Sequence, residues 1–243
     1  DFIRDHGGFD ALSFDFSSYT PFYSYTLLLG SYLPEALDDK LILKGATIVA
    51  DFVSAGIAFE IVRRLRGSGL LPVSAFAVVL LAPTVVLNGA HWGQTDMLWT
   101  APLVGSLAFV LAGRPAAALA AFGLAFAVKQ QAVFFLPFLV VLALKRVVPW
   151  RHFLLVPAVY LATIVPALIA GRGLWDLLTI YRDQAELNDT GQTVVLSANA
   201  PNLYQWFSER FVEVLDRPSL VWGGSVVLLL TLLVAALPFE LTR

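Results

Sequence analysis

The run Asn88-Gly89-Ala90-His91-Trp92-Gly93-Gln94-Thr95-Asp96 places an imidazole, an indole, a carboxamide and a carboxylate within six positions, between two apolar stretches. A bare connector between apolar helices needs only a few Gly, Ser or charged residues. Groups of these kinds at the mouth of a helix bundle suit the holding of a polar ligand beside a greasy one. Trp92 alone would be explained as an interfacial aromatic, but His91, Gln94 and Asp96 would not. A second group, Lys129-Gln130-Gln131, follows a short apolar run. Lys129 there either snorkels to the headgroups or supplies the point charge for a phosphate, with Gln130 or Gln131 donating hydrogen bonds. Arg182, beside Tyr181, is either a solvated surface charge or a second phosphate contact. His91 and Asp96 have no third ligand at helical spacing, and no Asp-x-Asp follows the opening loop, so no metal site is expected. Asp51 falls in mid-stretch, seven residues from Lys44 on the same helical face. It is expected to pair with Lys44 or with a hydroxyl of a neighbouring helix.

The elements that must position these groups are membrane helices. Of 243 residues, 58% are hydrophobic and 14% charged, and the mean hydropathy is +0.75, far from the composition of a soluble domain. Crossing about 30 Å of hydrocarbon takes about 20 mostly apolar residues. Stretches that qualify or nearly do are 41–62, 70–87, 97–112, 116–128, 132–144, 153–170 and 220–238. Those at 116–128 and 132–144 are short, and their ends must lie near the interface or inside the bundle. The alternation of a transmembrane barrel does not recur, so the spans are helical. The expected fold is an all-α integral membrane protein, a polytopic bundle of about seven spans. Cysteine is absent, which removes disulfide and thiolate chemistry. Neither the net charge of −2 nor any basic aromatic patch suggests nucleic acid.

Charge placement gives an orientation. Arg63, Arg64 and Arg66, then Arg114, then Lys145, Arg146 and Arg151, and finally Arg243 occupy alternate connectors. By the positive-inside rule these ends are cytoplasmic. The 88–96 run, Lys129–Gln131 and the long segment 171–218 then all face outward. The stretch 21–37 is interrupted by Tyr23, Ser24, Tyr25, Thr26, Ser31 and Tyr32. If it crossed, the opening loop would be cytoplasmic, although it carries Asp1, Asp5, Asp10 and Asp15 against Arg4. It is therefore read as an interfacial or re-entrant outer helix starting near Pro21, within an outer loop over 1–40. In 171–218, Trp175, Leu177, Leu178, Ile180 and Tyr181 have helical spacing, as do Leu203, Trp206, Phe207, Phe211 and Val214. Two amphipathic helices on the outer face would form a lid or rim, separated by the Asp189-Thr190-Gly191 turn and the 197–202 break.

Phosphate-loop, dinucleotide-turn, nucleophile-elbow and His-Glu-x-x-His motifs are missing. What the chain does carry, in order, is Ser18-Tyr19-Thr20-Pro21-Phe22-Tyr23-Ser24-Tyr25, then Lys44 through Asp51, then Leu87 through Asp96, then Phe126-Ala127-Val128-Lys129-Gln130-Gln131 through Pro137, then Asn199-Ala200-Pro201-Asn202-Leu203-Tyr204. In order, spacing and common orientation these resemble the GT-C membrane glycosyltransferases. The likeness is closest to bacterial mannosyltransferases related to the GPI mannosyltransferase II family, and weaker to the glucosyltransferases of N-glycan assembly.

The resemblance implies a transferase that takes a hexose, mannose above others, from a polyprenyl-phosphate donor. Transfer would be to a lipid, glycan or protein acceptor on the extracytoplasmic face of a bacterial cytoplasmic membrane, with no cofactor. Lys129 and then Arg182 would meet the phosphate, and His91, Gln94, Asn199, Asn202 and Trp92 or Tyr19 the sugar. Asp96 would be a sugar ligand or a secondary acid. In the family the catalytic Asp lies in the first outer loop, well upstream of the Tyr-x-Pro element. That stretch would fall before Asp1, so 1–243 is expected to be a single GT-C-like module lacking its N-terminal helix, and inactive as it stands. Asp1, Asp5, Asp10 and Asp15 match no motif and are expected to be solvated loop acids. The alternatives are a transporter of lipid or polar solute, which would place polar groups at mid-membrane with repeat symmetry, and a non-catalytic membrane subunit.

Overall fold

The computed structural model describes residues 2–17, 19–34 and 39–187, together with Val226 and Leu230. Every element among the described residues is helical. The stretch 220–238 apart from Val226 and Leu230, the second outer helix expected near 203–214, Asn199 and Asn202 lie outside them.

The chain enters through α1 (Phe2–Asp5) and a 3-10 turn (Gly8–Ser13), then forms α2 (Pro21–Ser31). Pro21 stands in the first turn, where a missing N–H costs nothing. At 11 residues, α2 is about 16 Å long, too short to cross a bilayer. The long helix α3 (Asp39–Arg66) follows, and Gly67 closes it at φ 82°. Arg63, Arg64 and Arg66 occupy its last turn, where exposed carbonyls favour cations. Glu60 accepts from Arg63 at 2.7 Å and from Arg64 at 2.6 Å.

The return helix α4 (Leu70–Leu81) is broken by Pro83, which forces Ala82 out of helical geometry (ψ 128°). The path resumes as α5 (Pro83–Val85) and widens into a π-helical turn, Val86–Trp92. The first five residues of the polar run read as a connector, Asn88–Trp92, are thus the end of a helical path, Leu70–Trp92, of 23 residues. Then come α6 (Asp96–Leu111), α7 (Pro115–Val128), a 3-10 segment (Gln130–Phe135) continuing into α8 (Leu136–Leu144), a 3-10 turn (Trp150–Leu154), α9 (Leu155–Ile169) and α10 (Leu174–Leu187).

Lys44–Arg66, Leu70–Trp92 and Trp150–Ile169 are long and apolar enough to cross a membrane, while Asp96–Leu111, Pro115–Val128 and Gln130–Leu144 are shorter apolar helices. The described part is therefore an integral membrane helix bundle in which three helical paths are long enough to span and three apolar helices are shorter. The expected stretches at 97–112, 116–128 and 132–144 form helices that stop short of bilayer thickness, because Gly113, Pro115 and the extended Lys129 end or start them.

The core follows from small residues on α7. Ala118, Leu119, Phe122 and Ala125 are buried with Leu139 of α8 and Val148. Gly123 lets α9 approach: a Cβ there would lie 3.1 Å from the Val156 Cα. Val49, Phe52 and Val53 on α3, Val78 and Leu81 on α4, and Leu161 and Ile169 on α9 are exposed, and so face lipid once the bundle is in a bilayer.

Candidate functional site

Asp96 starts α6 and Lys129 ends α7. These two helices are antiparallel neighbours, so both residues arrive at the same end of the bundle. Lys129 Nζ donates to Asp96 Oδ1 at 2.6 Å, a charge-assisted contact of the strong kind. Asn88 Nδ2 reaches the other oxygen at 3.2 Å, and Trp99 Nε1–H approaches Oδ1 at 3.4 Å. Burial works to raise the Asp96 carboxyl's pKa. The hydrogen bonds from Lys129 and Asn88, with the ammonium charge and the Trp99 N–H, together hold it below the usual carboxylate value. Asp96 is thus kept an acceptor, and a general-acid role for it would require Lys129 to leave first. The Lys129 side chain keeps 25% of its surface. An ammonium has three donors, so the paired lysine can still meet an incoming anion.

The turn that carries Asn88 rests on α3. Gly93 adopts φ 81° and its N–H donates to Gly89 O at 2.9 Å, while Gln94 N–H donates to Asn88 O at 2.9 Å. Only glycine takes the left-handed conformation routinely, and a Cβ at Gly93 would also sit 3.4 Å from Lys44 Cγ. Thr47 Oγ1 donates to Gln94 O at 3.2 Å. Lys44, Thr47 and Asp51, spaced to share one face of α3, therefore underlie the turn. The expected ion pair between Asp51 and Lys44 does not form. Asp51 instead lies buried beneath Gly89, and its Oδ1 has no hydrogen-bond partner.

Two further helices, α2 and α10, close on the same end. Thr20, buried at the start of α2, donates through Oγ1 to Val128 O at 3.0 Å, one residue before Lys129. Tyr25 places its hydroxyl where Pro166 interrupts the α9 ladder, donating to Thr163 O at 2.8 Å and accepting from Ala167 N–H at 3.2 Å. On α10, Leu177 and Ile180 point inward, and Tyr181 donates its hydroxyl to Phe126 O. Burial, then the neighbouring Tyr160, pushes the Tyr181 phenol's pKa up, so it stays a donor. Where α9 gives way to α10, Arg172 is almost wholly buried and pairs with Asp15, whose side chain is 70% exposed. Asp15 is thus a partnered residue rather than the purely solvated loop acid its surroundings in the sequence suggest.

Of the residues singled out by sequence, Asp96 and Lys129 touch. Gln130 follows Lys129 at the head of the 3-10 segment and is half-buried. His91 and Trp92 are exposed at the end of the π turn, Gln94 is half-buried beyond it, and Tyr19 is exposed with its ring 4.8 Å from that of Tyr23. Arg182 is exposed on α10, next to Tyr181. Sequence reasoning gave no role to Asn88, Trp99, Thr20, Thr47 or Arg172. Asn88 and Trp99 stand eight positions before and three after Asp96, and the second spacing is a helical one that could have been read. Arg172 is flanked by Gly171 and Gly173 after an apolar span, a pattern that resembles an ordinary cap.

In the comparison with protein families, residues 16–243 match the model described as Glycosyltransferase family 87. No curated protein and no solved structure matches the chain.

Proposed function

Because the chain belongs to glycosyltransferase family 87, we propose that it moves a hexose, mannose above others, from a polyprenyl-phosphate donor to an acceptor at the extracytoplasmic face of a bacterial cytoplasmic membrane. The observation that carries this reading is the Lys129–Asp96 pair, a fixed cation at the mouth of an apolar helix bundle. A polyprenyl tail needs lipid-facing apolar surface, which α3, α4 and α9 offer. The phosphate needs positive charge that does not wander, which the Asp96 carboxylate and its Asn88 and Trp99 partners supply by fixing Lys129.

In a single displacement the acceptor oxygen bonds to the sugar's anomeric carbon as the bond to the phosphate oxygen breaks. The electron pair stays on the departing polyprenyl phosphate, whose charge rises from one to two negative, and Lys129 stabilises that developing charge. The acceptor proton passes to a carboxylate base. We assign the base to none of Asp96, Asp51 or Asp15: the first is committed to Lys129, the second is buried, and the third pairs with Arg172. His91, Trp92, Gln94 and Tyr19, on the two segments flanking the pair, are proposed to hold the sugar. Gln130 and Arg182 are proposed as further phosphate contacts, and Asn199 and Asn202 as further sugar contacts. The acceptor is a lipid, a glycan or a protein.

Binding of polyprenyl-phosphate-mannose to the protein in nanodiscs tests the proposal. Lys129→Ala is expected to weaken binding about 10- to 100-fold, the worth of a hydrogen bond to a charged group. Free polyprenyl phosphate should compete and polyprenol should not. Equal binding by the variant, or equal competition by polyprenol, would remove Lys129 as the phosphate contact.

A further inference from the structure

We propose that Asp51 and Gly89 form a size-matched pair that seats the 88–94 turn against α3, which makes Asp51 a positioning residue for the donor site. The pairing rests on the reading of that turn as a wall of the transferase site, and its test includes a readout that needs no substrate.

Asp51 lies in mid-α3 with 4% of its surface exposed, and Oδ1 is buried without a hydrogen-bond partner. An acid in such a place is costly and marks a functional position, yet no substrate can reach this oxygen. What Asp51 does is fill the space beside Gly89 that a side chain there would occupy. A Cβ built on Gly89 would lie 2.8 Å from Asp51 Oδ2 and 3.1 Å from Thr47 Cγ2. Gly89 is not among the positive-φ glycines, so its backbone would accept alanine, and glycine inside a helical segment is the poorer helix former. The missing side chain is explained by the close approach of α3 and not by backbone conformation.

The seat is coupled to the site through consecutive contacts. Gly89 adjoins Asn88, whose side chain reaches Asp96 at 3.2 Å and whose carbonyl accepts from Gln94 N–H at 2.9 Å. Asp96 in turn holds Lys129 at 2.6 Å. Thr47 pins the far side of the turn at Gln94 O. A turn lifted off α3 therefore pulls Asn88 from Asp96 and frees Gln94 at once.

The chain has no cysteine, so Gln94→Cys gives a single thiol whose reaction with a membrane-impermeant maleimide reports the height of the turn. On that background Gly89→Ala should speed labelling several-fold. Adding Asp51→Ala should return it towards the starting rate, since the methyl then fills the space the carboxyl leaves. Asp51→Asn, which keeps the shape, should label like the parent. With Gln94 intact, affinity for polyprenyl-phosphate-mannose should follow the same order, falling about tenfold or more in Gly89→Ala and recovering in the double variant. Should Gly89→Ala fail to fold, the contrast between Asp51→Asn and Asp51→Ala carries the test. The inference is overturned if Gly89→Ala behaves as the parent, if the double variant is no better than Gly89→Ala, or if Asp51→Asn is as damaging as Asp51→Ala. The labelling pattern holding while no variant binds the donor would uphold the seat and sink the donor reading.

Discussion

Lys129 and Asp96 are 33 positions apart in the chain and 2.6 Å apart in space. Each was legible as a polar residue at the edge of an apolar stretch, but their contact was not, because it depends on how α6 and α7 pair. The acid dependence of the pair has a definite sign. Asp96's folded pKa lies below its unfolded value, so its contribution to stability is present in full above the unfolded value and is lost as pH falls through the folded one. Asp96→Asn should therefore cost on the order of 1 kcal/mol or less at neutral pH, given this exposure, and flatten the acid limb of thermal unfolding below about pH 4, so that parent and variant converge in acid. Arg172 and Asp15 make a second, asymmetric case. Asp15→Ala leaves a buried guanidinium without its carboxylate, whose Nε already lacks a partner, and should cost about 3 kcal/mol. Arg172→Met leaves only an exposed carboxylate in water and should cost clearly less. Melting temperatures of the two variants in detergent check the order, and equal losses would mean that Asp15 does not neutralise Arg172.

At the scale of elements, hydropathy located the helices well and their ends poorly. The stretches at 41–62, 70–87 and 153–170 became α3, the path from α4 to the π turn, and α9. The polar run from Asn88 was not legible as helix, because a period of apolar residues is what identifies one, and here backbone bonding continues where that period stops. Likewise the stretch at 21–37 carried enough apolar residues to suggest a longer element than the 11 residues of α2. That helix is held by contacts with partners more than a hundred positions away, which no local pattern reveals. The Thr20 hydroxyl satisfies Val128 O, one of the α7 terminal carbonyls that have no partner within the helix. Thr20→Val keeps the shape and removes that bond. It should lower stability by about 1 kcal/mol and weaken donor binding by loosening the strand-like residue Lys129 beyond it. Unchanged melting temperature and affinity would show that α2 docks without this contact.

For the whole molecule, composition sufficed to read an integral membrane bundle, and the order of short motifs sufficed to read a membrane glycosyltransferase. Among the described residues the lengths of the helices did not follow, since apolar content says how greasy a segment is and not where glycine, proline or an extended residue cuts it. The shortness of the two helices that present Asp96 and Lys129 has its own consequence. Helix α6 has 16 residues and α7 has 14, about 24 and 21 Å of rise against about 30 Å of hydrocarbon. A bilayer meeting such helices thins or dimples around them at a cost of fractions of a kcal/mol per Å of mismatch. Headgroups and water are thereby drawn down to the Lys129 end. On the proposed reading, the phosphate of a membrane-bound donor would descend with the dimple, and the protein would not need to lift it out of the leaflet. Donor affinity should accordingly be higher in nanodiscs of short-chain lipids than in long-chain ones. An affinity indifferent to acyl length would mean that the surrounding bilayer keeps its thickness there, whereas the expected dependence makes membrane thickness a variable of this site as real as any side chain.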